Sequence, residues 1–400
     1  MKPIEGDDSL RRLRRFEVAR NAAFWIPVYF LLFDSELDAG SAFSLAALYY
    51  LASIAFELPA GLFSDRFGRR RTLIAAASLQ LVGALGIAVS DTFAGLAAGQ
   101  VCIAAAIAFV SGTDTSMLFE HLRSRGQEQR IADEEARLQR CGLHGLSFAA
   151  VAGGLLGAID LRLPYVATAL ASAFAIKEAV GMAEPRHSRH PTDEHERSWV
   201  GAALRDRTLR WCLLLATAAM VFNHVPFEMI QPYLANTGLA TTGAPVGAGL
   251  LLGATMWLAT WSTRAAPGIG ERLGLFRGAL LGLALQGVVI GGLAIALHPA
   301  LALFMLLRSV PQTVIQPLLR ALIHPRVADD HRATWFSIQS FVARLAFAAC
   351  LGALAIVTDE TGDVDGAQVL FALRVSFAGL VASVLVLWGL RPRAVVPEPS

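Results

Sequence analysis

Charge is scarce in this 400-residue chain: 16% of its residues are Asp, Glu, Lys or Arg, 55% are hydrophobic, and the mean hydropathy is +0.52. A soluble domain carries roughly a quarter charged residues, so a water-solvated globular protein is excluded and a bilayer is the expected solvent. Cysteine is scarce too. Cys102, Cys141, Cys212 and Cys350 lie far apart, within or beside apolar segments; that spacing excludes a disulfide framework or a metal-ligand pattern and leaves small buried hydrophobes. Common enzyme signatures are missing: there is no G-x-S-x-G elbow, no H-E-x-x-H and no phosphate-binding G-x-x-x-x-G-K-[ST]. The nearest glycine string, GIGERLG from Gly268, has the wrong spacing for a dinucleotide loop and lies between two apolar runs. No polar segment is long enough to hold a nucleotide-binding domain, so an ATP-driven pump is excluded and any work must draw on an ion or substrate gradient. Nothing calls for a cofactor, a metal or nucleic acid.

What the chain has in abundance is long apolar runs. A spanning helix needs roughly 20 mostly apolar residues, and twelve such segments are expected: 19–34, 41–63, 73–90, 93–119, 142–159, 163–183, 209–235, 245–266, 278–297, 299–323, 334–357 and 368–390. They are apolar on all sides without period-two alternation, which predicts helices and argues against a β-barrel. The first follows RRLRR but lacks a small-residue cleavage site, so it reads as a retained helix and not a signal peptide. The expected fold is an all-α integral membrane protein.

Orientation follows from the arginines, because short loops rich in basic residues stay in the cytoplasm. Arg11, Arg12, Arg14 and Arg15, then Arg66, Arg69, Arg70 and Arg71, then Arg123, Arg125, Arg130, Arg137 and Arg140 all fall on one side. So do Arg186 to Arg210, Arg264 to Arg277, Arg326, Arg332, Arg391 and Arg393. Asp34, Glu36, Asp38, Asp359, Glu360, Asp363 and Asp365 mark the other side. Both termini are therefore expected in the cytoplasm. The run EPRHSRHPTDEHERS from Glu184, with His187, His190 and His195, reads as a solvated linker near mid-chain.

A repeat crosses that midpoint. DRFGRRR from Asp65 aligns with ERLGLFR from Glu271, matching an acid, Arg66 with Arg272, Gly68 with Gly274 and Arg71 with Arg277. Each copy sits between the second and third spans of its own half. Two six-helix bundles, residues 1–183 and 209–400, joined by a linker over 184–208, are the economical reading, and parallel repeats of this kind build one class of secondary transporter.

Gly61, Asp65, Arg66, Gly68, Arg69 and Arg70 match the G-x-x-x-D-R-x-G-R-R loop signature of the major facilitator superfamily, which the chain resembles throughout. SGTDTSMLFEHL from Ser111 is similar to the fourth-helix segment of bacterial drug- and metabolite-exporter-like members. The resemblance implies a rocker-switch transporter whose first, fourth, seventh and tenth helices line a central cavity. It also implies a latch. Gly61 and Gly68 would allow close approach and a tight turn, Asp65 would cap the eleventh helix near Thr334, and Arg69 or Arg70 would pair with Glu120. Gln100 stands where proton antiporters carry an arginine, and Gly153, Gly154 and Gly157 lack the antiporter Gly-Pro signature, both departures from the exporter pattern; close packing explains the glycines.

Polar residues deep in a span are functional candidates, since a charged one at a helix centre costs about 2.5–3.5 kcal/mol on insertion scales. Gln100, Ser111 and Asp114 share a face of the fourth helix. His224, Glu228 and Gln231 stack on the seventh, with His224 and Glu228 the candidate proton-coupling pair. Arg308, Gln312 and Gln316 do so on the tenth. Glu57, Arg344, Lys177 and Glu178 are weaker candidates; Arg344 requires an anionic partner. The expected function is inner-membrane export of a small organic or amphipathic compound in exchange for protons, by a monomer. A metabolite uptake symporter or facilitator is the alternative, and a transporter-like sensor or assembly protein without turnover is the alternative of another class.

Overall fold

A computed structural model describes residues 5–184, 199, 201, 203–238, 243–262, 266–328, 331–359 and 365–392. The expected linker and its three histidines lie almost wholly outside these, as do Glu360 and Asp363. Among the described residues the chain is helical with no strand, and nine helical stretches are long and apolar enough to cross a membrane.

The N-terminal elements are α1 (Glu5–Arg20), α2 (Tyr29–Glu36), α3 (Ala39–Phe67), α4 (Arg69–Val89), α5 (Phe93–Val110), α6 (Thr113–Arg123), α7 (Ile131–Gly157) and α8 (Leu163–Val180). The C-terminal ones are α9 (Arg207–Ala235), α10 (Gly243–Ser262), α11 (Ala266–Leu273), α12 (Leu275–Leu293), a 3₁₀ turn over Leu301–Leu307, α13 (Val310–Ile323), α14 (Arg332–Asp359) and α15 (Gly366–Leu390). Short polar residues start several of them. Asp38, Thr92, Asp206 and Asp365 each accept a bond from the backbone N–H three residues on, satisfying a donor that the helix leaves open.

Three expected spans are interrupted. Within 19–34, the helix stops at Arg20 and resumes at Tyr29; Pro27 has no N–H and cannot continue the ladder. The expected span over 93–119 breaks at Ser111–Gly112, where Gly112 takes φ +75°. Gln100 and Asp114 therefore do not ride one uninterrupted stripe. In 299–323, a 3₁₀ turn gives way to α13 at Pro311, which cannot donate to Leu307. Non-helical backbone at membrane depth is tolerated where protein buries it or a cavity wets it, so these breaks locate the site.

The two copies of the loop motif fold alike. Gly68 joins α3 to α4 at φ 95°, ψ 161°, and Gly274 joins α11 to α12 at φ 76°, ψ 160°. Only glycine reaches these angles cheaply. The halves meet closely through α7 and α10: a Cβ on Gly154 would lie 2.5 Å from the Pro245 carbonyl and 3.1 Å from Gly249 Cα, and one on Gly153 would lie 2.0 Å from the Phe24 carbonyl in the first break. The fifth-span glycines thus serve packing against both the broken segment and the other half. Two cysteine expectations differ in outcome: Cys212 is buried, whereas Cys350 is exposed on the protein surface.

Candidate functional site

A cavity of about 550 Å³ lies between the halves. Its walls come from the end of α1 (Arg20), the broken stretch after it (Asn21, Trp25, Ile26), α2 (Tyr29), α5 (Gln100, Ile103), α9 (Met220, His224, Phe227, Glu228) and the turn before α13 (Arg308). Those elements hold the four helices that the resemblance implies. The wall also includes α3 (Tyr49, Tyr50, Ser53) and α14 (Ser340, Arg344), which it did not.

Glu228 is the hub. It is buried, and its two carboxylate oxygens accept from the hydroxyls of Tyr29 and Tyr50. One glutamate of the C-terminal half is thereby held by two tyrosines of the N-terminal half. His224, expected to partner it, instead places Nδ1 2.9 Å from the Met220 carbonyl one turn back. The two share Tyr50 as a neighbour, since its ring stands edge-on to the imidazole at 6.0 Å.

Gln231 does not face the cavity. Its Nε2 donates to the Ile26 carbonyl at 2.9 Å and its Oε1 accepts from Phe30 N at 3.0 Å and Leu31 N at 3.4 Å. A side-chain amide of α9 therefore replaces helix bonds that the first break gives up. Gln80 on α4 does the same for the Arg20 carbonyl at 3.0 Å. Gln312 likewise turns away, donating to the Ala219 carbonyl at 2.8 Å, which Gln286 also reaches at 3.0 Å. Gln316 is exposed and touches Gln312.

Asp114 meets Arg20 at 3.4 Å, and Arg20 makes two bonds to Glu17 at 2.7 and 2.8 Å. The weaker candidates Glu57 and Arg344 pair with each other at 2.6 Å, joining α3 to α14 across the halves. Glu178 is buried beside Arg12 at 3.7 Å and Arg15 at 4.0 Å, while Lys177 lies over the Phe174 ring. Of these contacts, Glu57–Arg344 is the one that joins the halves.

At the loop motif, Arg69 bonds Asp65 at 3.0 Å, Ser64 at 2.7 Å and Glu120 at 3.4 Å. The Asp65 carboxylate is spent on Arg69 and is two-thirds exposed. Arg66 stacks over Phe67, and Arg70 donates to the Val180 carbonyl at 2.6 Å. Gly61 faces open space: a Cβ there would meet nothing within 4 Å. The carboxylate at the start of α4 is that of Glu184, which accepts from Arg69 N at 2.7 Å and Arg70 N at 3.1 Å, where the helix dipole favours a negative charge.

Sequence reasoning missed Arg20 and Glu17, the tyrosines that hold Glu228, and Asn223, whose main-chain carbonyl accepts from Arg308 at 3.2 Å. An arginine inside a span was a legible signal for Arg20. The tyrosines carried none, because an aromatic in an apolar run reads as packing. Among the described residues no group of His, Cys, Asp and Glu is arranged to hold a metal.

Comparison with known proteins follows this geometry. The tetracycline resistance protein, class G, of Vibrio anguillarum is 26% identical over 344 residues, covering 84% of this chain and 85% of its own. A mutant form of the nucleoside transporter NupG superposes with a TM-score of 0.81 at 11% identity, over 96% of this chain and all of its own. An auto-inhibited POT family peptide transporter gives 0.76 at 13% identity, over 98% and 99%; at such identities these two likenesses speak for the fold alone. The sequence pattern of the Major Facilitator Superfamily matches residues 19–349, most of the chain, so this protein belongs to the major facilitator superfamily and is a multi-pass membrane transporter rather than an enzyme.

Proposed function

We propose that the protein is a twelve-span secondary transporter of the bacterial inner membrane that moves a small organic compound by alternating access, with Glu228 carrying the coupling proton. The six-helix halves comprise residues 1–183 and 209–400, joined through 184–208, and both termini lie in the cytoplasm, on the arginine-rich side. The protein works as a monomer, since one chain encloses the cavity.

The observation that carries this reading is the seating of Glu228. It lines the cavity, belongs to one half and is held by two hydroxyls of the other. A carboxyl group with hydroxyl partners is satisfied in either charge state: tyrosine hydroxyls donate to the carboxylate, and a hydroxyl oxygen accepts from the acid. Rocking the halves apart strips those partners away, so proton occupancy and conformation are coupled. His224, edge-on to Tyr50 in the same cavity, is the neighbouring titratable group.

Export in exchange for protons is the direction supported by similarity to a tetracycline resistance protein. Uptake of a metabolite, by symport or facilitated diffusion, is the second reading, supported by Arg308, which lines the same cavity with no carboxylate within 4.0 Å among the described residues and so suits an anionic metabolite. The latch around Asp65, Arg69 and Glu120 would stabilise one of the two end states.

The test uses proteoliposomes. Glu228→Gln should abolish accumulation driven by an imposed pH difference while preserving substrate-for-substrate exchange, because binding and rocking survive without proton release. Accumulation at the wild-type level by this variant would remove Glu228 from the coupling role and make Asp114 the next residue to test. The sign of the pH gradient that drives accumulation separates the two directions.

A further inference from the structure

Three arginines line the cavity, and two of them are already neutralised. Arg20 is bound to Glu17 and Asp114, and Arg344 to Glu57. Arg308 differs. It is 7% exposed, and its described partners are neutral: the Asn223 carbonyl accepts from Nη1 at 3.2 Å, and Asn223, with its amide oriented to satisfy both atoms, accepts from Nη1 at 3.1 Å and donates to the Arg308 carbonyl at 3.0 Å. The guanidinium lies over the Phe227 ring, 5.1 Å from its centre, and Nε has no partner among the described residues. The Glu228 oxygens each accept from a tyrosine hydroxyl, and no carboxylate lies within 4.0 Å of the Arg308 guanidinium among the described residues.

Two further polar atoms in the same wall are unpaired. Trp25 Nε1 is a donor without an acceptor, and Gln100 Oε1 is an acceptor without a donor; their residues are 8% and 2% exposed. A buried polar group left unmade costs its full desolvation, so these atoms call for a ligand. Arg308 belongs to the C-terminal half, while Trp25 and Gln100 belong to the N-terminal one. Between them stand the rings of Tyr49, Tyr50 and Phe227.

We propose that the cavity takes an amphipathic organic monoanion, an aromatic carboxylate bearing one N–H or O–H donor. Arg308 binds the carboxylate, Trp25 Nε1 supplies a second hydrogen bond, Gln100 Oε1 accepts from the ligand's donor, and the flat body lies among the aromatic rings. A planar guanidinium matches a carboxylate in geometry as well as charge. A single unneutralised arginine balances one negative charge, which disfavours a phosphate dianion. The cavity volume of about 550 Å³ falls in the range of sites for molecules of drug size. This inference rests on reading the cavity as the transport site, and a ligand that bridges the two halves is one that their rocking would carry.

The test measures thermal stability of the purified full-length protein against matched pairs: indole-3-acetate, 4-hydroxyphenylacetate and anthranilate, each beside its carboxamide. A ligand bound only by the folded state raises the melting temperature. At least one acid should bind ten times or more tightly than its amide. Arg308→Gln should remove that preference, Arg308→Lys should restore part of it, and Gln100→Leu should weaken binding severalfold with every arginine in place. Melting and gel-filtration profiles of the unliganded variants show whether each is folded, and Arg308→Lys and Gln100→Leu keep the question open to refutation should Arg308→Gln fail to fold. Equal binding of acids and amides, unchanged acid binding in both Arg308 variants, or no binding by any acid would overturn the proposal. The two readings fail separately. Neutral or cationic compounds that bind and cross proteoliposomes would sink the anion and leave transport standing, whereas acids that bind through Arg308 yet never cross would do the reverse.

Discussion

Gln231→Leu offers a direct measure of how the halves are held together. Leucine matches glutamine in size but removes a carboxamide that is fully buried and makes bonds of 2.9 and 3.0 Å, with a third at 3.4 Å, to the backbone of the first break. The substitution leaves the Ile26 carbonyl and the Phe30 N–H without partners while the halves stay closed at that end. Each buried orphan costs about 1–3 kcal/mol. Leu31 N sits at the long limit of bonding and adds little. In the opposite state that end opens, water reaches the same groups, and most of the penalty vanishes. The substitution therefore raises one state relative to the other by about 2–3 kcal/mol, a shift of roughly thirty- to 160-fold in the equilibrium.

The readout is a distance distribution between spin labels at Ser35 and Ala235, both exposed near the outer ends of α2 and α9, in a background with the four native cysteines replaced. Wild type should show one short population, and Gln231→Leu should transfer a large part of it to a longer distance. Gln231→Glu, which keeps an acceptor for Phe30 N but cannot donate to Ile26, should fall between. A distribution unchanged by Gln231→Leu in a folded protein would refute the idea that this amide joins the halves.

Single cysteines at Gly126 and at Ser188, the latter outside the described residues, should be shielded from an impermeant thiol reagent in intact cells, while one at Gly362, also outside them, should be labelled; external labelling at Ser188 would overturn the twelve-span topology. Gly68→Ala forces a Cβ onto φ +95° and to within 2.6 Å of the Glu184 carboxylate, so a cost of about 1–2 kcal/mol in thermal unfolding is expected, against less than about 1 kcal/mol for Glu184→Gln, which removes the charge at the start of α4. Glu57→Gln leaves Arg344 unpaired, for a loss of about 2 kcal/mol at this partly exposed pair, and the swap Glu57→Arg with Arg344→Glu should recover much of the lost stability and transport; a swap no better than either single change would mean that the pair is incidental.

The helical architecture was legible because hydropathy is a long-range average, and small errors at helix ends do not disturb it. The expected apolar stretches fall largely on helices, and the Asp65 and Glu271 motifs fold into matching glycine turns. Less legible were the breaks. Pro27 was visible, but whether a proline kinks a helix or opens it depends on what can bond the freed backbone, and that partner, Gln231, lies 204 residues further along the chain. For the same reason Glu57 and Arg344 were each noticed without being recognised as a pair. Helical periodicity reports which residues share a face; it says nothing about which face of another helix lies opposite. Gly61 shows the converse limit, since a motif position read as a close approach faces open space here.

The glutamines carry the lesson furthest. In a bilayer a polar side chain inside a span either serves a ligand or repairs the backbone, because no water is present to do either. Gln231, Gln80 and Gln312 donate to main-chain carbonyls of neighbouring elements, so their polarity is accounted for by the fold. Gln100 is buried in the cavity wall with its carbonyl oxygen unmatched. Arg308 stands to Arg20 and Arg344 as Gln100 stands to Gln231, Gln80 and Gln312: the same residue type, but no group among the described residues that completes it. Incompleteness together with a place in the cavity wall marks the candidate binding surface more sharply than polarity or burial alone, and here Arg308 and Gln100 fall on opposite halves of the chain.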